Sequence, residues 1–354
     1  MILDKIKLGN CKLKNRLVVS PMCQYSGKNG SPTQWHYAHL LKLLQSGASM
    51  LTLESTAINK NGKITHADLC LSNNKQKKDF KNLISFLKSF DKKIPICLQV
   101  SHAGRKGSSH IPWIKSNTPL NKKQKKWKTF SASSIKKDKN WPIPVSLSQR
   151  EIKKIINDFV KTAKLANEVG FDGLEIHMAH GYLLHQFLSP ISNKRNDEYG
   201  GNLKKRCNFA LQVASKIRKV WPRKKILGAR ITGLDHLSGG ININDSIFLA
   251  KKLALIGLNY ICVSSGGILT KTKLKFFKGF RINIASKIKK RINIPVRTSG
   301  NLEDLNFADK AIKQKKIDFI AIGRNFIKDP SFIYKFSKKR NNKKIIAKPY
   351  LRCI

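Results

Sequence analysis

Along this chain, short apolar runs rich in β-branched residues alternate with longer stretches whose apolar positions recur every three to four residues. The first pattern predicts buried strands and the second amphipathic helices, and their regular alternation predicts a parallel sheet built from strand-helix units. Strands are expected near 16–20, 50–54, 96–100, 173–176, 226–231, 260–264, 295–298 and 319–322. Helical stretches include 33–46, 148–169, 203–220, 244–256 and 282–291, with Gly47, Gly170 and Gly257 as C-terminal stops. Eight such units predict a (β/α)8 TIM barrel, read as one α/β domain over residues 1–354. A doubly wound sheet is the alternative fold. Against it, no G-x-G-x-x-G follows the first strand and no G-x-x-x-x-G-K-[ST] occurs in the chain.

Composition changes this picture little. The 354 residues are 41% hydrophobic and 8% aromatic, enough for a full core. Charge is the exceptional quantity: 70 Lys and Arg face 20 Asp and Glu, a net +50. Such a balance is the footprint of a nucleic-acid binder. However, the lysines are spread over nearly every helical stretch, and the densest run, at 121–128, holds one aromatic residue, Trp127, instead of a stacking series. The expectation is therefore non-specific polyanion binding at low salt, with no specific nucleic-acid partner. Seven cysteines without a C-x-x-C pair fit neither a disulfide framework nor a zinc ribbon. The first twenty residues lack the apolar segment of a secretory signal, and no apolar run reaches the roughly 20 residues that span a bilayer. A reduced, cytoplasmic protein without membrane contact is expected.

Two segments break the rhythm. The basic, proline-punctuated loop 104–147 after strand three and the polar stretch 188–202 are long enough to be lids or subunit contacts. In a barrel of this kind the active site sits at the C-terminal strand ends, and here those ends are chemically loaded. They carry Ser20, Pro21, Met22, Cys23 and Tyr25 after strand one, Glu54 and Ser55 after strand two, and Gln99 with His102, Arg105 and Lys106 around strand three. His177, His180 and Tyr182 follow strand four, Arg230 closes strand five, and Ser264, Ser265, Gly266 and Gly267 close strand six. Gly300 and Gly323 with Arg324, after the last two strands, suggest a phosphate site, since those loops present backbone N–H groups and the arginine adds a charged fork.

Several of these residues admit more than one chemistry. His177 and His180 are either metal ligands, lacking a placed carboxylate to complete the set, or two imidazole donors for a carbonyl or nitro oxygen with the Tyr182 phenol as proton source. Cys23 is either a small buried hydrophobe or a functional contact at the mouth. Arg230 is either in a structural ion pair or opposite an anionic ligand. Cys11, Cys70, Cys207 and Cys262 are assigned to packing or surface.

Taken together, Ser20-Pro21-Met22-Cys23-Gln24-Tyr25, Gln99 with His102-Ala103-Gly104-Arg105-Lys106, the stretch Glu175 to Tyr182 with Asp197-Glu198-Tyr199-Gly200-Gly201, and Ile322-Gly323-Arg324 resemble the old yellow enzyme family across nearly the whole chain. The closest likeness is to the bacterial, thermostable-type NADPH-dependent ene-reductases, and Pro112-Trp113 and Trp141-Pro142 are similar to the xenobiotic reductases. The resemblance implies non-covalent FMN, its phosphate near Gly300, Gly323 and Arg324. Ser20, Pro21, Met22 and Cys23 would bind the cofactor, with Cys23 beside the reactive edge of the ring and tuning its potential. Ser55 and Gln99 would bond the polar edge, and Arg230 would face N1 and the C2 oxygen to stabilise the anionic reduced flavin. It further implies hydride transfer from NADPH or NADH through FMN to the β-carbon of an activated alkene. His177 and His180 would hold the substrate oxygen, Tyr182 would protonate the α-carbon, and Tyr25 would contact the substrate.

The tail 340–354 resembles a segment whose arginine enters a partner subunit's site, making Arg352 a candidate finger in a homo-oligomer, although the final aromatic residue is missing. Cys353 alone supports no iron–sulfur cluster. The lysines of 122–128 are placed to steer NADPH phosphates. Two other readings remain open at this stage: a phosphate-binding aldolase or isomerase barrel using Glu54 or Glu175, and a basic binding protein without catalysis.

Overall fold

A computed structural model of the chain describes residues 1–270, 272, 274–342 and 345–353. Eight parallel strands close into a barrel in chain order: β1 (Leu17–Val19), β2 (Met50–Ala57), β3 (Ile96–Ser101), β4 (Gly173–Met178), β5 (Ile226–Thr232), β6 (Tyr260–Ser264), β7 (Val296–Thr298) and β8 (Phe319–Ile322). The ring is completed by β8 pairing with β1 through Ile320 opposite Leu17. Every residue of these strands is buried, because each strand is covered on one face by helices and on the other by the barrel interior. The two faces are distinct. Leu51, Leu98, Leu174, Ala229, Val263, Val296 and Ile320 pack outward in the cluster that includes the helices. Val18, Met50, Cys97, Ile226, Tyr260 and Phe319 point inward, and meet Ile6, Leu8 and Leu13 of an antiparallel hairpin, Ile6–Leu8 with Cys11–Leu13. That hairpin plugs the N-terminal end of the barrel.

The crossover helices are α1 (Gln34–Leu44), α2 (Asn74–Phe90), α3 (Gln149–Val169), α4 (Leu203–Val220), α5 (Ile243–Ile256), α6 (Ile282–Lys289), α7 (Leu305–Lys313) and α8 (Phe332–Lys338). Local chemistry sets their limits. Ser148 and Glu151 form a reciprocal capping box at the start of α3, and Gly170 ends it with φ 100°. Gly257 ends α5 the same way at φ 94°. The strand expectations agree with the barrel to within three residues. Gly47 is not itself a cap: α1 stops at Gln45, and the positive φ of Gly47 shapes the turn beyond. Helices α2, α7 and α8 were not among the expected segments. The lysines of α2 mask an apolar face made of Phe80, Leu83, Ile84 and Leu87.

The two irregular segments are ordered and tied together. Within 104–147, Phe130–Ser131 pairs in parallel with Val145–Ser146. Arg195 of the second segment donates to the Ala132 carbonyl at 3.0 Å and the Leu147 carbonyl at 2.6 Å.

Candidate active site

Because strand residues alternate between faces, the inward row rises from apolar groups at the plugged end to polar groups at the open end. Above Cys97 lies Gln99, above Gly173 lie Glu175 and His177, above Ile226 lies Arg230, and above Tyr260 lies Ser264. A bulge in β2 adds one residue between Leu53 and Ser55, which brings Ser55 into register with Gln99. Without that bulge Ser55 would face the helices.

Seven of the expected cofactor contacts, Ser20, Pro21, Met22, Arg230, Gly300, Gly323 and Arg324, line one cleft of about 560 Å³. Arg281 and Lys328 join them, against a single carboxylate, Glu303. Arg230 is buried, donates from Nη2 to Ser299 Oγ at 3.3 Å, and leaves Nε without a partner. Arg281 is held by Ser265 Oγ at 3.0 Å and the Ser299 carbonyl at 3.3 Å. Burial, reinforced by the Arg230 charge, pushes its guanidinium down to about 10. Among the described residues neither arginine forms an ion pair with a carboxylate. A buried Arg230 beside a half-buried Arg281, with no carboxylate paired to either, is an arrangement that suits an anionic ligand. Two glycines of the cleft are packed too closely for a side chain. A Cβ on Gly300 would lie 2.6 Å from the Phe280 ring, and one on Gly323 would lie 3.0 Å from Met22 Sδ. This donor set fits the phosphate and polar ring edge of a flavin nucleotide.

Beside the cleft stand the histidines and tyrosines. The Ala179 N–H donates to His177 Nδ1 at 3.2 Å, His177 Nε2 lies 3.2 Å from His180 Nδ1, and His180 Nε2 lies 2.6 Å from Ser264 Oγ. The rings of His177 and Tyr182 are 4.6 Å apart, edge to face. Burial, and then the Arg230 charge, holds both imidazoles well below their ordinary range. Burial holds the Tyr182 phenol well above its own. At neutral pH the site therefore presents neutral imidazoles and a protonated phenol. Tyr25 and His180 both sit at positive φ, 48° and 57°, a backbone strain that tertiary packing maintains at functional positions. Gly181 permits this turn, since a Cβ there would lie 2.1 Å from the Gly267 carbonyl oxygen.

Cys23 is held as a thiol, its pKa raised by burial and then by Glu54. Tyr25 meets Trp113 at 5.9 Å between ring centroids. Lys106 Nζ donates to the His180 carbonyl at 2.8 Å and lies 5.2 Å from the Tyr182 ring centroid. Ser55 Oγ bonds Ser101 Oγ at 2.5 Å. Gln99 Nε2 donates to Glu175 Oε1 at 2.7 Å, while Glu175 Oε2 accepts from Tyr260 and pairs with Arg297. Neither candidate carboxylate is free for aldolase or isomerase chemistry: Glu175 is locked in that network, and Glu54 accepts from the Gln24 N–H at 2.9 Å and faces His36 Nε2 at 3.2 Å. Among the described residues no three His, Cys, Asp or Glu side chains gather to hold a metal.

Arg352 lies on an exposed terminal 3-10 segment, Lys348–Cys353, and does not line this cleft. Lys343, Lys344 and Ile354 of the same tail lie outside the described residues. Arg281 was not foreseen. Its only signal was a cation directly before a helical stretch, which a solvated charge shares.

The NADH:flavin oxidoreductase / NADH oxidase family matches residues 2–343 of this chain. The chain belongs to that family. An NADPH dehydrogenase of Clostridium acetobutylicum is 32% identical, with 99% of this chain and 98% of that protein covered. One from Bacillus subtilis is 33% identical, with 95% and 94% covered. Among solved structures, morphinone reductase superposes with a TM-score of 0.79 at 22% identity, covering 96% of this chain and 89% of that one. An old yellow enzyme homologue from Zymomonas mobilis matches with a TM-score of 0.79 at 22% identity, covering 96% and 92%. As a member of the NADH:flavin oxidoreductase / NADH oxidase family the chain is an oxidoreductase that uses FMN with NAD(P)H as reductant. The aldolase or isomerase and the non-catalytic readings are thereby set aside. No described helix is long and apolar enough to cross a membrane.

Proposed function

We propose that this old yellow enzyme family member is an ene-reductase for α,β-unsaturated carbonyl or nitro compounds. The observation that carries the reading is the convergence, beside a carboxylate-poor cationic cleft, of two neutral imidazoles and a protonated phenol within six residues at the end of β4. FMN, when bound, would supply the hydride chemistry that links NAD(P)H to the substrate β-carbon. Gly300, Gly323 and Arg324, with Arg281, would hold the phosphate, and Ser20, Pro21 and Met22 would contact the cofactor from the same cleft. Arg230 would place positive charge at the ring's polar edge, where Ser55 and Gln99 would offer hydrogen bonds.

His177 and His180 hold the oxygen of the substrate and polarise the alkene. Tyr182, kept protonated by burial, transfers its phenolic proton to the α-carbon and is re-protonated from water. Cys23, half-buried and held as a thiol, would act by contact with the flavin and not as a nucleophile. Tyr25 packed on Trp113 forms one wall for the substrate. A homo-oligomer in which Arg352 reaches a neighbouring site, and a cytoplasmic location, belong to the same reading.

The test is the visible spectrum of the purified protein during anaerobic titration with NADPH and then cyclohexenone. A flavin band that bleaches with NADPH and returns with the enone supports the reading. A band that bleaches and does not return with enones, nitroalkenes or maleimides overturns the substrate class.

A further inference from the structure

The hydrogen bonds around the histidine pair determine where its protons are. A ring nitrogen that accepts cannot carry hydrogen, so the Ala179 N–H at 3.2 Å fixes His177 as the neutral ring protonated on Nε2. That Nε2–H points at His180 Nδ1, 3.2 Å away, which must then be the acceptor. His180 accordingly carries its proton on Nε2 and donates it to Ser264 Oγ at 2.6 Å. The result is a one-way chain, from the Ala179 amide through both rings to the Ser264 hydroxyl. In this state the two rings offer a ligand oxygen between them only one N–H, that of His177.

We infer that Ser264 is the positioning residue that lets His180 change tautomer when a carbonyl ligand binds. For both rings to donate to one oxygen, His180 must carry hydrogen on Nδ1 instead of Nε2. His180 is half-buried, so when its ring swings off Ser264 it gives the Nε2 proton to water and takes one from water on Nδ1, with no net proton taken up. His180 Nε2 then needs a donor, and among the described residues the group bonded to it is the Ser264 hydroxyl. A hydroxyl is suited to this because it accepts or donates by rotating about its C–O bond, which no amide N–H or carbonyl at the same place does. Ser264 is fully buried, so water does not replace it readily. The inference rests on the proposed role of the histidine pair in holding a substrate oxygen.

The experiment is nitrogen-15 NMR of the histidine rings in FMN-loaded protein, with and without cyclohexanone, a saturated ketone that binds as product and is not reduced. The ligand-free protein is expected to show both His177 and His180 protonated on Nε2. Saturating ketone is expected to move the His180 proton to Nδ1 and leave His177 unchanged. Ser264→Ala is expected to retain FMN but to bind cyclohexanone roughly tenfold more weakly, the size of one hydrogen bond. A His180 ring that stays protonated on Nε2 with ketone bound, or a Ser264→Ala protein with unchanged ketone affinity, overturns the inference. Failure of the underlying reading is separate. It would appear as a flavoprotein that neither binds ketone nor is re-oxidised by enone, whatever the tautomers of its resting state.

Discussion

The two ends of the barrel are built from the same eight strands and do opposite work. At the N-terminal end the inward positions are Val18, Met50, Cys97, Ile226 and Phe319, closed off by Ile6, Leu8 and Leu13 of the hairpin. At the C-terminal end they are Gln99, His177, Arg230 and Ser264, open to a cationic cleft. Between them the buried pair Glu175 and Arg297 marks the change of regime. The difference teaches where stability and chemistry are stored. Apolar packing at the closed end contributes free energy without specifying function, whereas the open end holds strained backbone and unpaired cations that the closed end must offset.

The largest expected effect lies at the open end. Tyr182→Phe should slow alkene reduction by about 10²- to 10⁴-fold, the range of a lost general acid, while leaving flavin reduction by NADPH intact. Stopped-flow traces of the two half-reactions separate these outcomes, and loss of both together contradicts the role given to Tyr182. Next comes the boundary. Glu175→Gln strands the Arg297 charge in the core and should cost about 3–5 kcal/mol, read as the denaturation midpoint of the FMN-loaded protein. A joint Glu175→Gln, Arg297→Met protein should recover much of that, and if it does not, the pair is more than mutual compensation.

At the closed end, Leu8→Ala should destabilise by about 2–5 kcal/mol through transfer and cavity terms. Turnover per folded, flavin-loaded molecule should be unchanged, and a parallel fall in turnover would erase the contrast between the two ends. Arg281→Ala should weaken FMN binding by roughly one to two orders of magnitude, as expected for lost hydrogen bonds to a charged group. Fluorescence titration of the apoprotein with FMN measures it, and unchanged affinity removes Arg281 from the phosphate side. The smallest effect belongs to the exposed lysines at 122–128. Replacing them with glutamine should lower the association rate of NADPH at low salt by less than about tenfold, and not at high salt.

Much of this was legible in the chain. The alternation Gln99-Val100-Ser101, Glu175-Ile176-His177 and Arg230-Ile231-Thr232 already reads as polar-in, apolar-out, because period two is intrinsic to a strand. The residues proposed to bind the cofactor, Ser20 to Cys23 and Gly323 with Arg324, were marked in the sequence by their place just past the strand ends. Arg281 was not, because its function depends on a loop folding back over Ser265 and Ser299 from elsewhere in the chain. The helix α2 was hidden for a different reason: its abundant lysines extend over a solvated face and lower the apparent apolar signal of a well-formed inner stripe.

What the sequence by itself determined is the repeating unit, the faces of the strands and the kinds of chemistry carried at their ends, all of which follow from local spacing. Only the tertiary structure decided which of those groups meet. The β2 bulge selects Ser55 over Glu54, the Ala179 amide sets the proton on His177, and Arg230 gathers with Arg281 without a carboxylate partner. Each depends on distances between segments far apart in the chain, and such distances exist only once the barrel has closed.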